Sequence, residues 1–228
     1  MSASMRRSTR SIVAWRRLDT GHDRMSFYQR RIIPCLLHIA MRQPALMPIR
    51  KRVISGAEGT VLEIGVGSGL NLPLYGPSTR AVIALDPSAE LLRVARKRAE
   101  AASVPVELLK ASAEVVPLET RSIDTVVMTW TLCTIPDASR ALAELRRVLK
   151  PGGALLFVEH GRAPEPNVAR WQDRLDPLWS RIAGGCHLNR KMDELIVRSG
   201  FRLDSLVNRR LPGPRTHTFL YEGVARPT

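Results

Sequence analysis

The sequence predicts a single α/β domain whose mostly parallel sheet is covered by helices on both faces. Three observations support this fold class. Strand-like apolar runs alternate with helical runs from residue 60 onward, as in parallel strands joined by crossover helices. The 228 residues, 44 % of them hydrophobic, suit one such domain. The last two strand-like runs have no helix between them, so they form an antiparallel pair and the sheet is mixed.

Two N-terminal segments precede this alternation. Residues 1–24 are arginine-rich and show no apolar period, so we expect a mobile basic extension. Residues 25–55 have helical character interrupted by prolines, and we expect a helical lid there. The main domain is predicted to cover 56–228.

Five short strands begin the main domain. They are apolar and partly β-branched, as buried strands are. Their predicted ranges are 60–65, 81–86, 105–110, 123–129 and 153–159. Helices are expected at 88–102 and 137–149, the second capped at its N-terminus by Asp137.

The C-terminal part of the chain departs from the alternation. Residues 161–191 follow the fifth strand, where an insertion would roof a site on the acceptor side of the sheet. A helix is predicted at 192–199, closed by Gly200. Strands at 201–209 and 216–225 then form the closing hairpin.

The formal net charge of +14 raises the question of an anionic partner. The basic residues are nearly all arginines, dispersed except near the N-terminus, and no groove-reading motif accompanies them. We therefore expect no specific nucleic-acid partner, and a basic nucleic-acid-binding or nucleic-acid-modifying protein is the alternative that rests on the charge alone. A basic helix within 30–42 leaves weak association with a membrane surface open, against the simpler interpretation of a lid packed on the domain.

Compartment and metal content follow from the apolar runs and the cysteines. No run approaches the ~20 apolar residues of a membrane-spanning helix, and no secretory segment is evident. Cys35, Cys133 and Cys186 are far apart and form no C-x-x-C pair. We expect no metal site, no disulfide and a reducing cytoplasmic location, with small apolar roles for Cys133 and Cys186. The sequence does not indicate an oligomeric state.

The stretch 61–69, Val-Leu-Glu-Ile-Gly-Val-Gly-Ser-Gly, carries the most specific signal in the chain. Gly65, Gly67 and Gly69 allow a sharp turn and let a ligand approach backbone N–H groups. Glu63 places a carboxylate in an apolar strand, which is costly unless it meets a cationic or N–H-rich partner. A dinucleotide loop would need its third glycine at position 70, which is leucine, so that alternative is disfavoured.

Further polar residues fall where the predicted strands end, the edge at which open α/β sheets bind ligands. Asp86 ends the second strand, where a carboxylate accepts ribose hydroxyls; its alternative role is to cap the next helix. The segment Ser112-Ala113-Glu114 follows the third strand and Trp130 to Cys133 the fourth. His160 ends the fifth. Their convergence predicts one nucleotide-like site.

These motifs, together with Ser122 to Val127 and Arg147 to Gly153, resemble the successive motifs of class I S-adenosylmethionine-dependent methyltransferases. The resemblance implies a Rossmann-like, doubly wound, seven-stranded sheet with the last strand antiparallel. It also implies S-adenosylmethionine as cofactor and a small-molecule methyl acceptor. Many members have aspartate where this chain has Ser112, so the adenine contact would rely on backbone. The implied cofactor-binding residues are Glu63, Gly65, Gly67, Gly69, Asp86, Pro87, Ala113, Glu114, Thr131 and Leu132.

A narrower resemblance, to the subfamily of alkyl-thiol S-methyltransferases and their bacterial relatives, follows from five short segments. They are Thr131 to Pro136, Glu159-His160, Trp171-Gln172, Leu175 to Trp179 and Gly185 to Asn189. It implies a thiol acceptor, with lipid and quinone acceptors left open.

The acceptor side contains candidate catalytic residues. His160 and His187 are the candidate proton acceptors, and Asp176 is placed to orient one of them. The alternatives are structural histidines and a turn cap before Pro177. Trp171 and Trp179 could wall an apolar acceptor pocket or simply pack a lid.

Overall fold

A computed structural model describes Met41 and residues 43–228 of the chain. The predicted extension at 1–24, and most of the segments at 25–55 and 30–42 discussed above, lie outside the described residues. Cys35 lies outside them too.

The seven strands form one sheet. Apolar, β-branched runs build them, and most of their residues are buried. Their bounds are β1 Gly59–Ile64, β2 Thr79–Asp86, β3 Val106–Lys110, β4 Ile123–Thr129, β5 Leu149–His160, β6 Phe201–Arg210 and β7 Phe219–Pro227.

The strand order is β3-β2-β1-β4-β5-β7-β6. The first five strands pair in parallel, and β7 lies antiparallel between β5 and β6. The predicted mixed sheet with a reversed last strand is therefore confirmed. The strand order reverses between β1 and β4. Open α/β sheets bind ligands at the carboxyl ends of the strands next to such a reversal.

Helices cover both faces of the sheet, as predicted. Their bounds are α1 Met47–Ile54, α2 Ala89–Glu100, α3 Ala138–Val148, α4 Pro166–Ile182 and α5 Met192–Arg198. Side chains from α1 and α2 join a core with Val61, whereas α3 and α5 join a second core with Leu62. Adjacent residues of β1 thus face opposite layers, as the pleat requires.

The largest boundary difference concerns β5. We predicted a helix to residue 149 and a strand from 153, but the strand begins at Leu149 immediately after α3. Lys150 to Gly153 extend the strand even though Gly152 has φ +80°. Turn-forming residues therefore did not break the element, because pairing with β4 continues on both sides of them.

A short 3-10 turn, Leu72–Leu74, replaces the long helix that usually follows a glycine loop of this kind. Pro73 explains this, since proline interrupts a helix interior. Within the part of the chain that the structure describes, no helix has the length and apolar character needed to cross a bilayer.

Candidate functional site

A cavity of about 350 Å³ opens at the carboxyl ends of β1, β2 and β4. Seven of the ten predicted cofactor-binding residues line it. They are Glu63, Gly65, Gly67, Asp86, Pro87, Ala113 and Thr131. Residues from loops and helices that the motif analysis did not select complete the wall; among them are Arg50, Leu70, Leu91, Ile135 and Gly184.

The glycine loop bounds one side of the cavity through residues with positive φ. Gly65 has φ +65° and Gly67 has φ +55°. A Cβ on Gly65 would lie 2.4 Å from Cγ2 and Oγ1 of Thr131, so the loop and the segment after β4 are in close contact. A Cβ on Gly67 would meet only the carbonyl oxygen of Gly65, at 3.9 Å. Gly67 therefore leaves open space beside its backbone.

Gly65→Ala is expected to destabilise the fold by about 2–4 kcal/mol, because strain from positive φ adds to overpacking against Thr131. Gly152→Ala is the matched control: its φ is +80°, but nothing lies within 4 Å of the added Cβ. It should cost only about 1–2 kcal/mol. Urea denaturation measures both free energies of unfolding. Equal losses would show that the Thr131 contact relaxes at no cost.

Glu63 lies at the base of the cavity and is 1 % exposed. Its carboxylate accepts a hydrogen bond from Asn71 Nδ2 at 2.9 Å and another from the Tyr75 hydroxyl at 2.9 Å. Burial raises the pKa of Glu63 to about 7, although these two hydrogen bonds favour the ionised form. The carboxylate thus has partners already, with lone pairs left for a cationic ligand.

Arg50, a buried residue of α1, was missed by the motif analysis. Its Nη1 donates to Asn71 Oδ1 at 2.8 Å, and its guanidinium lies 4.8 Å from the centroid of the Trp130 ring. Its Nε is buried without a hydrogen-bond partner among the described residues. Burial lowers the pKa of Arg50, against the opposing effect of Glu63. The only feature of the sequence that could have indicated its burial was its place next to apolar Ile49. Arginines are common in this segment, so that feature did not distinguish Arg50 from the others.

Asp86 forms the second acidic point of the cavity. Its Oδ2 accepts from the Gly67 N–H at 2.9 Å and its Oδ1 from the Ser88 N–H at 2.8 Å. Burial raises the pKa of Asp86, while these two bonds oppose the rise. Ser88, and not Asp86, provides the N-cap of α2 by accepting from the Leu91 N–H. The alternative of a cap at Asp86 is thus wrong, and its carboxylate holds the glycine loop against the start of the helix.

Three predicted cofactor-binding residues, Gly69, Glu114 and Leu132, lie outside the cavity lining. A Cβ on Gly69 would meet Leu72 and Ala95, so this glycine permits close packing against α2. The Glu114 carboxylate accepts from the Asp137 N–H at the start of α3. Leu132 is fully buried in the core.

The segment after β4 is fixed by a buried carboxylate, Glu159. Its oxygens accept from the N–H groups of Thr131, at 2.8 Å, and Cys133, at 3.4 Å. Burial raises the pKa of Glu159 to about 7, in opposition to these bonds. Trp130, at the start of the segment, has φ +52°, a conformation rare for a bulky residue. The wall formed by this segment is therefore held in a strained, preformed shape.

Two predicted catalytic residues come together beyond this wall. Asp176 Oδ2 lies 2.8 Å from His187 Nδ1, and Asp176 Oδ1 accepts from the Leu188 N–H. Asp176 lies inside α4, with Pro177 in the helix after it, so it does not cap a turn. The backbone N–H of His187 donates to the Cys133 carbonyl. The carboxylate thus contacts the imidazole at Nδ1 and fixes the orientation of the ring.

His160, the third predicted catalytic residue, lies beside Cys186, which also contacts Cys133. Cys186 Sγ lies 3.6 Å from His160 Nε2 and 3.7 Å from Cys133 Sγ. Burial lowers the pKa of His160, but the sulfur of Cys186 more than offsets this and the net shift is upward. Hydrogen bonds to Cys133 and His160 lower the pKa of Cys186. Cys133 lies in the apolar core and Cys186 packs against it, in agreement with the small apolar roles predicted for them. Their contact with each other and with His160 was not predicted, because these residues are far apart in the sequence.

The two tryptophans of α4 differ in their environments. Trp171 is 56 % exposed and stacks with Arg174, so it does not wall the cavity. Trp179 meets His217 edge to face, with ring centroids 4.4 Å apart. Its indole nitrogen is buried and has no hydrogen-bond partner among the described residues.

The chemistry of the cavity fits S-adenosylmethionine. Glu63 offers a carboxylate to an ammonium group, and Asp86 offers one to a ribose diol. The open space at Gly67 leaves room for a ligand against the backbone, and apolar side chains such as Leu70 and Leu91 line the same cavity. The cavity volume is within the range of small-molecule sites.

Comparison with known proteins agrees with this chemistry. A family model described as "Methyltransferase domain" matches residues 62–157. The thiol S-methyltransferase TMT1B of Rattus norvegicus is 35 % identical over 148 residues, 63 % of this chain and 60 % of that protein. The chain therefore spans about three-fifths of that relative's length.

Two further matches cover more of the chain. The ubiquinone/menaquinone biosynthesis C-methyltransferase UbiE of Methylobacterium nodulans is 30 % identical, across 80 % of this chain and 72 % of that protein. The crystal structure of a putative methyltransferase from Bacillus halodurans superposes with a TM-score of 0.65 at 18 % identity, covering 81 % of this chain and all of that one. With the sheet order, the cavity and these similarities, the chain belongs to the class I S-adenosylmethionine-dependent methyltransferases.

Proposed function

We propose that this chain methylates the sulfur of a small thiol with S-adenosylmethionine as donor. One observation supports this most directly. The Glu63 and Asp86 carboxylates line a single cavity, on either side of a glycine loop that leaves room for a ligand. The thiol S-methyltransferases among the relatives favour sulfur as the acceptor atom.

The bound cofactor supplies a methyl group already activated on a sulfonium. The residues of this chain then need to bind, orient and exclude water. Glu63 holds the ammonium group and Asp86 the ribose, while Ala113 lies near the adenine. Thr131 and Trp130 form the wall between this pocket and the acceptor side.

The acceptor enters from the side of residues 161–191, the proposed acceptor-side insertion. A thiol with an ordinary pKa near ~8.5 is partly ionised without help. From thiol molecules that are still protonated, the His187 imidazole, oriented by Asp176, accepts the proton at Nε2. Trp179 and His217 give this region an apolar, aromatic character.

The N-terminal segment is assigned a covering role. Arg50 of α1 lines the cavity, which supports a covering role for the described part of this segment, residues 43–55. Cytoplasmic location with weak attachment to an anionic membrane surface belongs to the same proposal and depends on arginines outside the described residues.

The first experiment is binding of S-adenosylmethionine and S-adenosylhomocysteine, followed as a rise in melting temperature. We expect a rise of several degrees at saturating ligand, since a ligand that binds the native state stabilises it. A methyl-transfer assay then compares an alkyl thiol, a phenol, a quinol and phosphatidylethanolamine, with products identified by mass spectrometry. The thioether should form fastest.

Two outcomes would contradict the proposal at different levels. Absence of a melting shift with both cofactor forms would refute cofactor binding. A normal shift, with quinol methylated and thiols untouched, would refute the acceptor and favour the quinone chemistry named for the UbiE relative.

A further inference from the structure

Cys133, His160 and Cys186 form a compact cluster beside the cofactor cavity. Their sulfur and imidazole nitrogen atoms all lie within 4.8 Å of one another, the one such group of potential metal ligands found among Met41 and 43–228. Cys133 is 2 % exposed and His160 is 8 % exposed, whereas Cys186 is partly open. The cofactor-binding proposal assigns no role to this set of side chains.

Two of the three separations match those of a tetrahedral zinc site, and the third, between Cys133 Sγ and the His160 imidazole, is within 4.8 Å. Zinc bonds of about 2.3 Å to sulfur and about 2.05 Å to nitrogen place two sulfurs about 3.8 Å apart, and sulfur and nitrogen about 3.6 Å apart. The observed separations are 3.7 Å for Cys133 Sγ to Cys186 Sγ and 3.6 Å for Cys186 Sγ to His160 Nε2. A disulfide, by contrast, needs sulfurs about 2.05 Å apart.

Backbone hydrogen bonds hold the two cysteines of the cluster at fixed positions. Arg190 donates to the carbonyl oxygens of Leu132 and Ile135, which hold the segment that contains Cys133. The Cys133 carbonyl in turn accepts from the His187 N–H, one residue after Cys186. Burying two thiolates is costly unless a cation neutralises them. A divalent cation would balance their charge.

We propose that Cys133, His160 and Cys186 bind a zinc ion whose fourth position is open to an exogenous thiolate. Two cysteines and one histidine are a ligand set that leaves a catalytic zinc one free position. Gly184 and Thr134, near Cys186 and Cys133 in the sequence, line the cofactor cavity, so we place the open position toward that cavity. Zinc binds soft thiolate ligands and favours their deprotonation. The assignment rests on the proposed thiol acceptor.

The test is metal binding by the full-length protein without cofactor. Reduced apoprotein is loaded with zinc and dialysed, and metal is measured by plasma mass spectrometry. We expect about one zinc per chain, and at least a ten-fold loss of zinc affinity in Cys133→Ser, Cys186→Ser and His160→Gln. Cys35→Ser is the control and should retain its metal.

Cobalt substitution tests the open position. Cobalt(II) at this site should show intense thiolate-to-metal charge-transfer absorption, and 2-mercaptoethanol should shift it. A zinc content unchanged in all three ligand variants would overturn the proposal. Recovery of Cys133 and Cys186 as a disulfide from zinc-loaded protein would overturn it as well. A cobalt absorption spectrum that does not change when 2-mercaptoethanol is added would have the same consequence.

Binding of S-adenosylhomocysteine to each variant separates this proposal from the previous one. Variants that lose zinc but keep normal affinity for S-adenosylhomocysteine are folded, and their loss concerns the metal alone. Failure of the wild type to bind S-adenosylhomocysteine would refute the proposed function and leave the zinc measurement to be judged by itself.

Discussion

Asp86→Asn is expected to lower the affinity for S-adenosylhomocysteine about a hundred-fold or more, measured by isothermal titration calorimetry. In the proposed complex the carboxylate accepts charge-assisted hydrogen bonds from the ribose hydroxyls, each worth about 1.5–3 kcal/mol. It also accepts from the N–H groups of Gly67 and Ser88. An amide has only one acceptor oxygen, so its NH₂ group would face one of these donors.

Asp124→Asn is the matched control, since it makes the same change at the opposite ends of the strands. Asp124 contacts the Thr60 N–H, Lys150 and Arg80, and it lies near the start of β4. Its substitution should leave ligand affinity within about two-fold of wild type. If Asp86→Asn also stays within about three-fold, the ribose assignment is wrong.

Glu63 is expected to make ligand binding depend on pH. The pKa of the buried carboxyl is about 7 in the free protein, and an ammonium ligand lowers it. Binding therefore releases a proton below pH 7, and affinity should fall by up to about ten-fold for each pH unit of acidification. S-adenosylhomocysteine is the suitable ligand, titrated in buffers of different ionisation enthalpy to count protons.

Glu63→Gln should abolish both the proton release and most of the affinity. The stability of the free protein depends on pH in the opposite direction from the ligand affinity. A carboxyl whose folded pKa lies above its unfolded value loses stability as pH rises between the two. The free wild-type protein should therefore lose stability relative to Glu63→Gln as pH increases from about 5 to 8. If the wild type and Glu63→Gln release the same number of protons on binding S-adenosylhomocysteine, another group is responsible for the titration.

The sequence was sufficient to predict the alternation of strands and helices, because apolar periodicity and turn residues are local properties. The reversed last strand followed from two strands without a helix between them. The glycine loop and Asp86 were also recognisable, since their chemistry depends on residues adjacent in the chain. These are the parts of the site that a short motif specifies.

Partners chosen across the fold could not be predicted. Arg50 meets Asn71 and Trp130 only because α1 packs over the glycine loop. Cys133 and Cys186 are 53 residues apart, and their contact depends on where α4 returns the chain. The capping role of Glu114 has the same origin, because its partner is the start of a helix that begins 24 residues later.

The position of β7 between β5 and β6 determines when the site can form during synthesis. His160 and Glu159 pair with Leu220 and Tyr221, so the acceptor half of the site rests on a strand that is translated well after β5. Until that segment leaves the ribosome, β5 is an exposed apolar edge strand, open to misassociation. The glycine loop and Asp86 are complete long before. The residues of the candidate cofactor cavity are thus translated before the strand that completes the pairing of β5.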